Sequence, residues 1–143
     1  MKVDEMARIL VVEDDFNMRF LIAKILQKAG YETREAENGQ YALQMLANDG
    51  HIDLVISDFL MPQMGGLEFL NQVRDYYPQV PVVMLSVHTR FDWVEASMEQ
   101  GAACYLLKPF TREQLVTAVG DVLNARLPMV SAALSHKSVA VHA

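Results

Sequence analysis

Charged side chains stand where three separate apolar runs of the sequence end. Glu13, Asp14 and Asp15 follow the first run, Asp58 follows the second, and Lys108 follows the third. If these runs are parallel strands of one sheet, the charges meet at its carboxyl edge, where open α/β sheets bind their ligands. Oxygen ligands without a nearby His or Cys favour a hard cation, and a few carboxylates with water and a phosphate oxygen suit Mg²⁺ better than zinc. The pattern therefore predicts a site for magnesium and a phosphoryl group.

The same residues could carry out phosphoryl transfer. Lys108 offers a positive charge to a phosphoryl oxygen, and Ser86, at the end of a further apolar run, offers a hydroxyl donor. Asp58 is then the predicted nucleophile, because a carboxylate is ionised near neutral pH and can form an acyl phosphate. Each feature alone has a simpler interpretation: a solvated acidic turn, a helix cap at Asp58, or an ordinary strand exit at Lys108. Their joint occurrence, in order and at strand ends, indicates the site.

Apolar segments of strand length alternate with longer segments of helical period, which predicts an α/β fold with five βα units around a parallel sheet. Continuous Val, Ile and Leu in the first, third and fourth strands predicts that these strands are central, whereas polar alternation in the second predicts an edge. The predicted strands span 8–13, 31–36, 52–57, 82–85 and 103–107. The first predicted helix spans 16–29, and the second begins after Asn38 as N-cap and ends before Gly50. The third follows the Gly65-Gly66 loop and ends before Pro78, and the fourth spans 91–100. The fifth begins with a capping box of Thr111 and Gln114 and ends near Arg126.

Three packing interpretations accompany these elements. The single cysteine, Cys104, lies in an apolar context and is interpreted as a buried small hydrophobe rather than a reactive thiol. Trp93 in the fourth helix is either a core anchor or an exposed partner contact, and the sequence leaves both open. The apolar stripe of the first helix is expected to comprise Phe20, Leu21, Ile25 and Leu26.

Length and composition limit the function further. A chain of 143 residues, 52% hydrophobic and 21% charged, is typical of one soluble domain. We expect the domain over 7–126 and a poorly ordered tail over 127–143. The net charge of −6 disfavours direct DNA binding. Without an apolar run of about 20 residues or an export signal, we expect no membrane partner and, by default, a cytoplasmic location.

Three segments in combination resemble the receiver domain of response regulators in two-component signalling. They are 9–15 (ILVVEDD), 55–67 (VISDFLMPQMGGL) and 108–110 (KPF). The resemblance covers about residues 7–126. It implies a flavodoxin-like (βα)₅ three-layer sandwich, with a five-stranded parallel sheet in the order 2-1-3-4-5.

The resemblance also implies roles for the site residues. Asp58 would accept a phosphoryl group from the phosphohistidine of a sensor kinase or phosphotransfer protein, with Lys108 beside it. Glu13, Asp14, Asp58 and the backbone carbonyl of Leu60 would bind Mg²⁺. The Lys108-Pro109 peptide would be cis. By this resemblance the chain is a single-domain signalling switch and not an enzyme, its chemistry being self-catalysed phosphoryl transfer and autodephosphorylation.

A switch pair and an output surface follow from the same resemblance. Ser86 and Tyr105 match the pair that responds to phosphorylation, which implies output by protein contact through the face of the fourth helix, fifth strand and fifth helix. His88 matches a position that tunes loss of the phosphoryl group. A solvated loop histidine is the simpler interpretation of His88. The kinase, the downstream partner and phosphorylation-dependent homodimerisation stay open.

Other functions fit the residues less well. A phosphatase with an aspartyl nucleophile would need a second aspartate two residues after it, where Leu60 stands, and a cap that excludes water. A flavin-binding protein of this architecture would have its phosphate repelled by Glu13-Asp14-Asp15. A binding module that has lost phosphorylation would not need the charged site residues, all of which are present.

Overall fold

The computed structural model describes residues 7–87 and 90–124 and the backbone of 129–130. Helices and strands alternate along these residues as the sequence pattern predicts. The strands are β1 (Arg8–Val12), β2 (Glu32–Ala36), β3 (Leu54–Asp58), β4 (Val82–Ser86), β5 (Cys104–Leu107) and β6 (Met129–Val130). The helices are α1 (Phe16–Lys28), α2 (Gly39–Asn48), α3 (Gly66–Tyr76), α4 (Phe91–Glu99) and α5 (Arg112–Leu123). No helix among these residues is both long and apolar enough to cross a membrane.

The strands form one parallel sheet in the order β2-β1-β3-β4-β5-β6. The predicted order 2-1-3-4-5 of a flavodoxin-like fold is confirmed, with β2 at one edge as its polar pattern indicates. A two-residue strand extends the other edge, where Met129 pairs with Cys104 and Val130 with Tyr105. The rest of the predicted tail, 127–128 and 131–143, lies outside the described residues.

Helices cover both faces of the sheet, and β1 contributes to a separate hydrophobic core on each face. Leu10 and Val12 pack in the core that includes residues of α2, α3 and α4. Ile9 and Val11 point the other way, into the core that includes residues of α1 and α5. All four side chains are fully buried. Because both faces of β1 are apolar, its sequence is a continuous run rather than an alternation.

Two helix starts confirm the predicted capping residues. The Asn38 side chain accepts a hydrogen bond from the backbone N–H of Tyr41 at 2.7 Å. Thr111 and Gln114 form the predicted capping box, each side chain accepting from the other's backbone N–H, at 3.0 and 2.9 Å. These bonds satisfy N–H groups that the first turn of a helix leaves without an intrahelical partner.

The predicted apolar stripe of α1 is partly wrong. The helix buries Ile22, Ala23 and Leu26 against the sheet, whereas Phe20 and Leu21 are each 49% exposed. At about 100° per residue, positions 22, 23 and 26 share one side of the helix and position 20 lies far from it. The end of the last helix also differs, since α5 ends at Leu123 rather than near Arg126.

Ser97 is a buried polar residue of α4 whose replacement should stabilise the fold. Its side chain is fully buried, and its hydroxyl has no hydrogen-bond partner among the described residues. Because a buried hydroxyl without a partner is costly and Ala favours helix, Ser97→Ala should raise the free energy of unfolding by about 1 kcal/mol. Urea denaturation measures this change.

Ser57 provides the matched control for that substitution. It is also fully buried, but its hydroxyl donates a hydrogen bond to the Asp58 carbonyl at 3.0 Å. Ser57→Ala should therefore lower the free energy of unfolding by about 1 kcal/mol. Destabilisation by Ser97→Ala as large as that by Ser57→Ala would contradict the interpretation of Ser97.

Candidate functional site

The carboxyl ends of β1 and β3 bring three acidic side chains together. The strands are hydrogen-bonded neighbours, and their register pairs Val12 with Ser57. Glu13 and Asp58 follow those two positions directly, so their side chains leave the sheet at the same edge. One carboxylate oxygen from each of Glu13, Asp14 and Asp58 lies within 4.8 Å of the other two. The predicted acidic cluster is therefore present, and it could hold a metal ion.

Lys108, at the end of β5, lies against two of these carboxylates. Its Nζ is 2.9 Å from Oε1 of Glu13 and 3.1 Å from Oδ1 of Asp58. The side chains are largely buried, with 12%, 3% and 12% of Lys108, Glu13 and Asp58 exposed, so the three charges interact with little screening by water. The Lys108-Pro109 peptide is cis, as predicted.

Backbone contacts fix the turn after β1, which carries two of the acidic residues. The Glu13 N–H donates to the Ala36 carbonyl at 3.1 Å, and the Glu13 carbonyl accepts from the Arg19 guanidinium at 2.7 Å. Asp15 caps α1 by accepting from the Met18 N–H at 2.8 Å. The contribution of Arg19 was not predicted from sequence, and no local pattern distinguishes it from other helix-surface arginines.

The pKa values of the clustered groups reflect burial and mutual repulsion. Burial raises the pKa of Glu13 and of Asp58, and a neighbouring carboxylate raises each further, while Lys108 opposes both shifts. Burial alone would lower the pKa of Lys108, but its hydrogen bond to Glu13 and the charge of Asp58 raise it. The site thus keeps Lys108 protonated, and its three carboxylates still exceed this one positive charge, which a bound cation would offset.

The predicted switch pair is in direct contact. Ser86 ends β4 and is 2% exposed, and its hydroxyl is hydrogen-bonded to the hydroxyl of Tyr105. The Tyr105 ring is fully buried in β5, and burial raises the pKa of its hydroxyl. The Ser86 carbonyl accepts from the Lys108 N–H at 2.8 Å. Ser86 is therefore connected both to the buried tyrosine and to the strand end that carries the lysine.

The remaining predicted residues have mixed outcomes. Leu60 is 51% exposed beside the cluster. His88 lies outside the described residues. Trp93 is half-buried and stacks on Phe59, with ring centroids 5.0 Å apart, so it makes a packing contact within the protein. Sequence reasoning missed Phe59, since nothing local to Asp58 or α4 indicates that these two rings meet.

Cys104 is buried in β5, as predicted, and burial raises the pKa of its thiol to about 12. Almost none of the thiol is then ionised at pH 8, and the thiolate is the reactive form. Ellman's reagent at pH 8 should leave Cys104 unmodified in the native protein and modify it fully in denaturant. Absorbance of the released thionitrobenzoate measures the difference, and rapid labelling of the native protein would contradict it.

Comparisons with known proteins agree with this geometry. A family model described as the response regulator receiver domain matches residues 9–120. Sporulation initiation phosphotransferase F of Bacillus subtilis is 31% identical over 116 residues, which cover 81% of this chain and 93% of that protein. The structure of chemotaxis response regulator CheY4 of Vibrio cholerae matches with a TM-score of 0.76 at 36% identity, over 82% of this chain and 98% of that one.

Some relatives are much longer than this chain. Response regulator protein FleR of Pseudomonas aeruginosa is 36% identical over 122 residues, which are 85% of this chain but 26% of that protein. The chain spans about a quarter of the length of such curated relatives. The family match nevertheless covers most of the chain, from the second residue of β1 through the end of β5 and beyond. The chain therefore belongs to the response regulator receiver domain family.

Proposed function

We propose that Asp58 accepts a phosphoryl group from the phosphohistidine of a sensor kinase or phosphotransfer protein. Receiver domains are signalling switches of two-component systems, and in this one Asp58, Lys108 and Ser86 would carry out the phosphoryl transfer. The observation that carries it is the buried Lys108 ammonium, which lies 3.1 Å from the Asp58 carboxylate beside two further acidic groups. An Asp58 oxygen would attack phosphorus as the bond from phosphorus to the histidine nitrogen breaks.

The acidic residues fit a magnesium ion. The three residues of the cluster offer only carboxylate oxygens as ligands, which suits a hard cation. Glu13, Asp14 and Asp58 would hold the ion together with the backbone carbonyl of Leu60. When bound, the ion neutralises charge on the phosphoryl oxygens. Lys108 would hold one of these oxygens, and the Ser86 hydroxyl another.

The surroundings of Asp58 favour a protein as phosphodonor. Phe16, Leu60, Val87 and Phe91 are exposed apolar side chains, and all lie on or next to the loops at the carboxyl edge of the sheet. Exposed apolar groups that surround a polar site mark a surface for another protein. This rim would contact the donor around its phosphohistidine while Asp58 performs the transfer.

We assign the output to protein contact through the face of α4, β5 and α5. The hydrogen bond between Ser86 and Tyr105 links the phosphorylation site to β5 within this face. Recruitment of the Ser86 hydroxyl by a phosphoryl group would remove its bond to Tyr105, which is a local change able to shift packing on the face. A homodimer formed through this face on phosphorylation is one form of such output, and the net charge of −6 disfavours direct contact with DNA.

Acetyl phosphate with Mg²⁺ tests the proposed function. Intact mass spectrometry of the wild-type protein should show the addition of one phosphoryl group, and omission of Mg²⁺ should prevent it. Peptide mapping should then place that group on Asp58. A protein that gains no phosphoryl group would contradict the proposal and favour a binding module that has lost phosphorylation. A phosphoryl group on another residue would contradict the assignment of Asp58 as the acceptor.

Magnesium should also stabilise the native protein. A ligand that binds only the folded state contributes about 2.7 kcal/mol at 100 times its dissociation constant. We therefore expect the melting temperature to rise by several degrees with saturating MgCl₂, and to rise far less in Asp14→Asn, since a proposed ligand is lost. Differential scanning fluorimetry measures both.

Asp15→Asn is the control, because it removes the same charge one residue away and Asn retains the ability to cap α1. Its melting temperature should respond to Mg²⁺ as the wild type does. An equal loss of response in the two variants would indicate general charge screening rather than a metal site.

A further inference from the structure

An aromatic contact joins the strand that carries the phosphoacceptor to α4. Phe59 directly follows Asp58, and its ring stacks on Trp93 with centroids 5.0 Å apart and planes inclined by 10°. The Phe59 ring also lies 6.3 Å from the buried Tyr105 ring. On the outer side, the Arg90 guanidinium lies 5.2 Å from the centre of the Trp93 ring. The side chain next to the acceptor is thus in contact with the first turn of α4.

Both backbone polar groups of Phe59 form hydrogen bonds, which fix the backbone from which its ring projects. Its N–H donates to the Leu85 carbonyl at 2.8 Å, and its carbonyl accepts from the Gly66 N–H at 2.8 Å. The Phe59 N–H also interacts with the Asp58 carboxylate, where it favours the ionised form. Phe59 is the next residue in the chain after Asp58 and its N–H faces the Asp58 carboxylate, so a rearrangement at Asp58 would act directly on the backbone that carries the Phe59 ring.

Within residues 91–94, two of the four side chains of the first turn of α4 pack inward. Phe91 and Asp92 are exposed, so Trp93 and Val94 are the residues of this turn that pack inward. The N-cap residue Arg90 makes no side-chain capping bond and pairs instead with Asp92 at 2.9 Å, on the surface. The position of this turn therefore depends on the Trp93 ring together with the buried Val94 side chain.

We propose that the stack of Phe59 on Trp93 transmits the state of Asp58 to the first turn of α4. Phe59 and Trp93 are positioning residues in this response, and their stack adds a second contact to α4 beside the hydrogen bond between Ser86 and Tyr105, whose tyrosine ring Phe59 also approaches. The inference rests on the proposed phosphorylation of Asp58. A contact between two rings changes an equilibrium by roughly 2- to 10-fold, which is enough to shift a poised helix between two arrangements.

Hydrogen–deuterium exchange of α4 tests this inference. The full chain is measured with and without acetyl phosphate and Mg²⁺, as wild type, Phe59→Leu and Trp93→Leu. Phosphorylation should change exchange over residues 91–99 in the wild type, and each variant should reduce that change by roughly 2- to 10-fold. The double variant should lose no more than either single one, because both remove the same contact. The difference on phosphorylation, rather than the basal exchange, is the quantity compared.

Tyr77→Leu is the matched control, since Tyr77 is another partly buried aromatic residue on the same core. Its variant should retain the wild-type response. A phosphorylated wild type without an α4 response, or a full response in Phe59→Leu, would overturn this inference alone. A wild type that gains no phosphoryl mass would overturn the proposed function and this inference together. If Phe59→Leu does not fold, Trp93→Leu removes the same contact from the helix side.

Discussion

Replacement of Asp58 by Asn should abolish the gain of phosphoryl mass from acetyl phosphate. The amide has nearly the same shape as the carboxylate but carries no negative charge and cannot form an acyl phosphate. Lys108 would still have Glu13 as a partner at 2.9 Å, so we expect the variant to fold. Intact mass after incubation with acetyl phosphate and Mg²⁺ measures the loss, and circular dichroism checks the fold.

Asp15→Asn is again the control, since Asp15 is exposed and lies at the same edge of the sheet. It should gain the phosphoryl group as fully as the wild type. Retention of phosphorylation in a folded Asp58→Asn protein would show that another side chain is the acceptor. Loss in both variants would instead indicate that the net charge of this edge, rather than one nucleophile, governs the reaction.

Gly66→Ala should cause the largest loss of stability among the changes considered. A Cβ atom at this position would lie 2.4 Å from the Asp58 carbonyl oxygen and 2.7 Å from Cα of Phe59. Both neighbours are backbone atoms of the acceptor segment, so they cannot move aside as a flexible side chain could. We expect the free energy of unfolding to fall by about 3 kcal/mol, as in severe overpacking. Urea denaturation measures this loss, and a slower phosphorylation of Asp58 should accompany it.

The neighbouring glycine offers a close control. A Cβ on Gly65 would have nothing within 4 Å, and its φ of −68° is accessible to any residue. Gly65→Ala should therefore change the free energy of unfolding by less than about 1 kcal/mol. A similar cost at both positions would mean that chain flexibility in this loop, rather than close approach at Gly66, determines the effect.

The sequence predicted the acidic cluster because strand ends are local features with strong signals. Glu13 and Asp58 each follow an apolar run, and parallel strands place such ends at one edge. The caps at Asn38 and Thr111 were predictable for the same reason, since a cap depends on residues within one turn. Strand limits shifted by one or two residues, as at β3, where the sheet includes Asp58 itself.

Contacts between residues that are far apart in the sequence were not predictable. The stack of Phe59 on Trp93 joins residues 34 positions apart in the numbering, and neither lies in a pattern that selects the other. Phe20 is apolar but exposed, because burial in α1 depends on which side of the helix faces the sheet and not on the residue type alone. The strand β6 lacks a sequence signal, since two residues are too few for a period to appear.

The strand β6 has a practical consequence for attaching labels to this protein. Because it runs parallel to β5, with Val130 beside Tyr105, it points toward the carboxyl edge of the sheet. A fluorophore or affinity tag inserted directly after Val130 would begin on the side of the sheet that carries Asp58, where the proposed phosphodonor would approach. Gly50 lies before β3, at the opposite edge, with nothing within 4 Å of its Cβ position. Surface immobilisation through a thiol introduced by Gly50→Cys should therefore leave the edge with Asp58 free.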